Sequence, residues 1–277
     1  MKIGMQTTPY REWSFEKILE HLSNLGFEAV EIAGWPWYQP FKPDKIINGE
    51  ATQIVSTAKR CNLVISALSC HLNHLDPDLK KREEINKFFK KVILCAKMLE
   101  APIVTALSGL PIPGKTVEES FEELKHEMGS LVDYAMQEGI KIAVENHGPT
   151  LTFNVPRLEK MFELIPSKNL GVNFDPSHCI WQHIDYVAAV KRLGSKILHT
   201  HAKDTEILRA VLTVEGVQGK GWWRSRIPGW GEVDWKKLIT TYKEVGYDYV
   251  LSLEHEDKAF DPDTGAIKTL NYLRDLI

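Results

Sequence analysis

The sequence has few cysteines, no excess of either charge and no long apolar run. Its four cysteines (Cys61, Cys70, Cys95, Cys179) are scattered with no Cys-x-x-Cys pair, which reads as reduced, mostly buried thiols of a cytoplasmic enzyme. Thirty-seven acidic against 34 basic residues leave a net charge of −3, with no basic footprint for nucleic acid. No stretch approaches the roughly 18 apolar residues of a membrane span, and Met1 to Pro9 lacks the long apolar segment of a signal peptide. Gly4-Met5-Gln6-Thr7, after the first apolar run, is not the Gly-x-Gly-x-x-Gly of a dinucleotide fold, and no Gly-x-x-x-x-Gly-Lys phosphate loop occurs.

What is present is an alternation of short apolar runs and amphipathic segments. Strands are predicted over 2–5, 29–32, 63–68, 103–107, 141–145, 170–174, 197–201 and 249–254. Helices are predicted from Ser14 to a stop at Gly26, and over 50–61, 79–99, 155–164, 185–193 and 264–276. Two more start at polar caps: Thr116, with Glu119 three residues on, opens one to Glu138, and Asp234 opens one to Val245. The longest loop is expected over 202–233. Eight strand–helix units at a spacing of about 30 residues, without linker composition, predict a parallel sheet covered by helices. In one domain over 1–277 they favour a closed (β/α)8 barrel. A doubly wound open sheet is the alternative, and the missing glycine fingerprint argues against it. Several tryptophans (Trp35, Trp37, Trp222, Trp223, Trp230) fall in loops; they suit a carbohydrate-stacking surface, packing within loops, or the contact of a homo-oligomer.

In such barrels functional side chains sit where strands run out into the following loops. Four successive strands here end in Glu145, Asp175, His201 and Glu254. Three carboxylates and one imidazole suit a hard or borderline divalent ion, Mn²⁺, Mg²⁺ or Co²⁺, with Zn²⁺ also accommodated. Without a cation they would repel one another. The fifth and eighth strands stand roughly 135° apart around an eight-stranded barrel, so Glu145 and Glu254 are placed to flank one small substrate. One glutamate removes a proton beside a carbonyl and the other returns one, giving epimerisation or aldose–ketose isomerisation.

Glu145-Asn146-His147, Phe174-Asp175-Pro176-Ser177-His178, His199-Thr200-His201-Ala202-Lys203-Asp204 and Arg226-Ile227-Pro228-Gly229-Trp230-Gly231 resemble the sugar phosphate isomerase/epimerase family. That is the xylose-isomerase-like barrel superfamily shared with ketose 3-epimerases and AP endonucleases. The resemblance implies a single-metal tetrad of Glu145, Asp175, His201 and Glu254, with Glu145 and Glu254 also the acid/base pair; among the ions that suit this donor set, manganese is expected first. It implies substrate contacts from His178 and Arg226. His71, His147 and Lys203 are further candidates to line the mouth. Each has a plainer reading: His178 supports the metal shell, Arg226 pairs within its loop, and Lys203 pairs with Asp204.

Two departures bear on substrate. Gly148-Pro149-Thr150-Leu151 supplies no further glutamate of the kind ketose 3-epimerases carry, and neither Thr105-Ala106-Leu107-Ser108-Gly109 nor Arg226-Ile227-Pro228 supplies the extra ligands of AP endonucleases. A three-metal phosphodiester site is therefore not expected. The expected function is a metal-dependent isomerase or epimerase of a ketose, free or phosphorylated. A lyase or dehydratase using the same carbanion, and a silent sugar-binding barrel, are the alternatives.

Overall fold

The computed structural model describes residues 1–277. Its ten strands are β1 (Lys2–Gln6), β2 (Ala29–Ala33), β3 (Val64–Cys70), β4 (Ile103–Ala106), β5 (Lys141–Glu145), β6 (Leu170–Phe174), β7 (Ile197–Ala202), β8 (Asp204–Ile207), β9 (Trp223–Arg226) and β10 (Val250–Leu253). Strands β1 to β7 and β10 pair in parallel and close into a barrel, with β10 between β7 and β1. The eight strands predicted from apolar runs are these eight. A sheet covered by helices outside and side chains inside has no wet face, so its strands carry almost no exposed residue; β2, Ala-Val-Glu-Ile-Ala, is buried throughout.

The main hydrophobic core lies between the strands and the helices that return each strand to the next. The helix Phe15–Leu25 buries Phe15, Ile18, Leu19 and Leu22 against the barrel. Ser14 caps its first turn, and Gly26, at φ 99°, supplies the left-handed stop that a side chain would resist. Thr116 and Glu119 form the reciprocal capping box expected of them. A small separate cluster, Ala67, Ile103 and Ala143, packs apart from that core. All four cysteines are free thiols, and no helix is long and apolar enough to cross a membrane.

Two stretches differ from expectation. The helix expected from Glu50 is preceded by a turn at Pro43–Lys45 and a π-turn at Ile46–Glu50, with Gly49 at φ 131° in the kink. The expected long loop is instead folded. β8 and β9 pair antiparallel, from Asp204 opposite Arg226 to Ile207 opposite Trp223, and a helix Arg209–Glu215 joins them. The β9 run Trp-Arg-Ser-Arg is exposed or half-buried and has no apolar alternation, so periodicity could not reveal its pairing with the mostly buried β8.

One buried carboxylate ties this excursion to the barrel. Asp204 Oδ1 accepts the backbone N–H of Thr205 (2.8 Å) and Val233 (3.0 Å), while Oδ2 accepts Gly229 N–H (3.2 Å) and Trp235 Nε1–H (3.0 Å). Burial alone would push its pKa up, and the four donors oppose that only in part. A Cβ on Gly231 would lie 2.1 Å from Asp204 Oδ1, so the return loop needs glycine there. Asp204→Ala should strand these donors and cost about 3 kcal/mol of stability, read as a lowered urea midpoint with faster amide exchange at Gly229 and Val233. An unchanged midpoint would show that the loop is held by other contacts.

Candidate active site

Alternate residues of a barrel strand face inward, so the strand ends stack two polar layers in the barrel. The upper layer holds Glu145, Asp175, His201 and Glu254, whose ligating atoms all lie within 4.8 Å of one another. His201 Nδ1 is 3.5 Å from Glu145 Oε1, 3.8 Å from Asp175 Oδ2 and 3.4 Å from Glu254 Oε2. All four side chains are buried. Neither oxygen of Glu145 meets an aligned hydrogen-bond donor, and Asp175 Oδ2 has only the Lys203 ammonium, 3.1 Å away and not aligned as a hydrogen bond. Buried carboxylate oxygens left open and converging with an imidazole nitrogen fit a divalent cation, and this group could hold one.

The lower layer is Glu31, Thr105, Asn173, His199 and Ser252, none of which the sequence reading singled out as a site residue. Glu31, His199 and His201 also bring ligating atoms within 4.8 Å of one another. Here, however, the partners are already present. Glu31 accepts the hydroxyls of Thr105 (3.1 Å) and Ser252 (2.7 Å). His199 meets Asn173 Oδ1 at 3.0 Å and Ser66 Oγ at 3.3 Å through its two nitrogens. This layer is satisfied as a hydrogen-bonded support, unlike the one above it. Burial opposes charge on Glu31, but the His201 and His199 imidazoles beside it hold its pKa down at about 2.

The other expected residues divide. His71 Nδ1 lies 3.4 Å from Glu145 Oε2, and His178 Nε2 lies 3.3 Å from Glu145 Oε1 and 3.5 Å from Asp175 Oδ2. His147 packs against His178 at 4.2 Å between ring centres, the rings tilted by 59°, with Nδ1 unpartnered; burial pushes its pKa down to about 4. Lys203 is buried and does not pair with Asp204. Its ammonium contacts Asp175 Oδ2 (3.1 Å), Glu256 Oε2 (3.3 Å) and the carboxylate of Glu254. Consecutive residues of an extended chain point opposite ways, so Lys203 turns into the mouth while Asp204 turns out to hold the loop. Despite burial, Asp175 and Glu254 raise the Lys203 pKa well above its ordinary value. Burial also works against charge on Glu254, yet Lys203 and His201 hold its pKa well below the usual carboxylate range.

Arg226 is not brought to the tetrad. Its guanidinium lies 3.4 Å from Asp257 and 3.6 Å from Glu206, beside the Phe260 ring, the loop pairing that was its plainer reading. With Trp223, Arg224, Ser225 and Glu256 it lines a cavity of about 490 Å³ that no tetrad residue borders. Gln6 is a further residue that sequence reasoning missed: at the end of β1, its Nε2 donates to Glu254 Oε1 at 3.3 Å. A period-two count back from each strand end would have found Asn173, His199 and Ser252, each two residues before a tetrad member. Glu31 carries its own signal, a lone charge inside an apolar strand.

The chain matches the family model described as "xylose isomerase-like TIM barrel" over residues 19–276. It is 24% identical to the inosose dehydratase of Clostridium perfringens, over 71% of this chain and 69% of that relative. Among solved structures, the IOLI protein with a bound zinc atom superposes with a TM-score of 0.79 at 21% identity, covering 100% of this chain and 99% of that one. A D-psicose 3-epimerase in the presence of D-fructose gives 0.75 at 15% identity, with the same coverage. At these identities the structures establish the shared fold.

If the tetrad holds a divalent ion, adding Mn²⁺ or Zn²⁺ to the metal-free protein at about 100 times the dissociation constant should stabilise it by about 2.7 kcal/mol. For a chain of this size that is a rise of roughly 5–10 °C in melting temperature. Asp175→Asn should remove most of the rise. No shift with Mn²⁺, Mg²⁺, Co²⁺ or Zn²⁺ would count against a metal site.

Proposed function

The chain belongs to the xylose isomerase-like TIM barrel family, and on that premise we propose a divalent-metal-dependent isomerase or epimerase acting on a ketose or related keto-sugar, free or phosphorylated. The observation that carries this reading is the presence of two glutamates, Glu145 and Glu254, in one buried donor set with Asp175 and His201. A divalent ion held by these four residues, manganese being the first to test, would polarise a carbonyl and its neighbouring hydroxyl as a Lewis acid.

The rest is the work of the chain's own side chains. Glu145, whose oxygens have no aligned donor, takes the proton from the carbon beside the carbonyl. Glu254, ionised beside the Lys203 ammonium and Gln6, has no proton of its own, so the proton it passes to the other side is drawn from Lys203 as the carbanion, a far stronger base, takes it up. Return to the same carbon on the opposite face gives an epimer; return to the neighbouring carbon gives an aldose–ketose isomer. His71, His147 and His178 are placed to meet substrate hydroxyls. Arg226 is proposed to act only through its loop. A binding protein without catalysis would not need two flanking glutamates.

A second reading is supported by the inosose dehydratase relative and by the buried Lys203. The same carbanion expels a β-hydroxyl or β-alkoxyl, to which Lys203 donates the proton as it leaves. Incubating the Mn²⁺-loaded protein with ketoses and 3-keto-glucosides in D₂O separates the two. Deuterium incorporation with the substrate skeleton retained supports isomerase or epimerase, and release of water or an aglycone supports the lyase. No exchange and no product with any of them would remove both. Glu145→Gln is expected to lower turnover by about 10³-fold under either reading, in line with the loss of a general base, with melting temperature within a few degrees of wild type.

A further inference from the structure

We propose that Glu31, in the middle of β2, is a positioning residue that fixes a proton on Nε2 of two imidazoles, His201 and His71, and so presents the Nδ1 of each to the tetrad. The use made of His201 Nδ1 as a metal donor rests on the reading above; the proton placement does not.

The argument is a count of donors. His201 Nε2 lies 3.4 Å from Glu31 Oε1 and 3.3 Å from Oε2, with its N–H aligned on the carboxylate. A carboxylate only accepts, so the proton belongs on Nε2. The neutral ring then has its lone pair at Nδ1, the atom that faces Glu145, Asp175 and Glu254. The Asn173 amide nitrogen is 3.1 Å from Nε2 and 3.5 Å from Nδ1. Near to both nitrogens, it lies across the ring and selects neither.

The second arm runs through Thr105. Its hydroxyl has one proton, which goes to Glu31 Oε1 at 3.1 Å. Toward His71 Nε2, also at 3.1 Å, the same oxygen can only accept. His71 therefore has its proton on Nε2 and points Nδ1 at Glu145 Oε2, 3.4 Å away. Ser252 occupies the other oxygen of Glu31 at 2.7 Å, so every group directed at this carboxylate is a donor.

The neighbouring imidazole is set differently. Trp181 Nε1–H, a donor only, meets His178 Nδ1 at 3.3 Å, so His178 turns an N–H, not a lone pair, toward Glu145 and Asp175. Three histidines that look alike in the sequence thus turn two Nδ1 atoms and one Nε2–H toward the mouth. A buried carboxylate is costly where an apolar side chain would fit, and this ordering accounts for one at the centre of β2. In metal sites such a carboxylate behind the imidazole typically strengthens binding 10- to 100-fold.

The test is ¹⁵N-histidine labelling with long-range ¹H–¹⁵N correlation, on the metal-free and the Zn²⁺-loaded protein. The expected result is a proton on Nε2 of both His201 and His71, whether or not Nδ1 also carries one. An unprotonated Nε2 on either ring would overturn the proposal. Glu31→Gln keeps the shape but turns an amide N–H toward Thr105, reversing that hydroxyl. It should strip the Nε2 proton from His71 and weaken Zn²⁺ or Mn²⁺ binding 10- to 100-fold by calorimetry. Thr105→Val should change His71 alone and leave metal affinity within about 3-fold. Glu31→Gln with the wild-type His71 proton pattern and an affinity within about 3-fold would also overturn it. If Glu31→Gln does not fold, the wild-type and Thr105→Val spectra still decide. A wild-type protein that bound no divalent ion would defeat the metal reading, while its Nε2 protons would still decide on Glu31.

Discussion

Three buried carboxylates, Glu145, Asp175 and Glu254, lie with His201 inside a sphere of contacts no wider than 4.8 Å. At that separation two like charges repel by roughly 3 kcal/mol even at an effective dielectric constant of 20. The mouth of the barrel has to answer this concentration of negative charge. His201 and Lys203 meet it from within the chain: the carboxylates around them drive both pKa values well above ordinary, against the effect of burial. The oxygens of Glu145 remain without an aligned donor. A structure that keeps such oxygens open at the end of a strand is arranged for a further cation or for proton transfer, and the proposed chemistry uses both.

The support for this site comes from strand geometry. Because side chains alternate, Asn173 lies beneath Asp175, His199 beneath His201 and Ser252 beneath Glu254. The register of β10 with β7, which sets Ser252 opposite His201, brings the two layers into contact. The same alternation divides the work at the end of β7. Lys203 turns inward to Asp175 and Glu254, and Asp204 turns outward to gather four donors from the excursion between β8 and Trp235. One dipeptide therefore couples the electrostatics of the mouth to the loop that borders it.

Much of this was legible from residue order. The eight strands, their right neighbours and the strand-end positions of Glu145, Asp175, His201 and Glu254 follow from apolar runs punctuated by polar residues. Such runs are the local signature of strands buried on both faces. The ribbon β8–β9 was not legible: β9 is exposed or half-buried without an apolar period, and β8 is buried partly through polar residues, Asp204 and Thr205. Arg226 has a motif that implies a substrate contact; the pairing of β8 with β9 sets its guanidinium beside Glu206 and Asp257, partners that residue order did not show.

The sequence by itself determined the barrel and the kinds of side chain at its mouth, because hydrophobic period and strand-end position are properties of neighbours along the chain. Only the tertiary structure decided which of those side chains meet. Glu31 and His201 are 170 residues apart and in contact, and Gln6 and Glu254, 248 residues apart, meet across the closure of β1 on β10. Barrel closure brings together strands whose separation in sequence carries no information about their contact. The partners that charge and orient the first-read residues therefore became visible only once the sheet was closed.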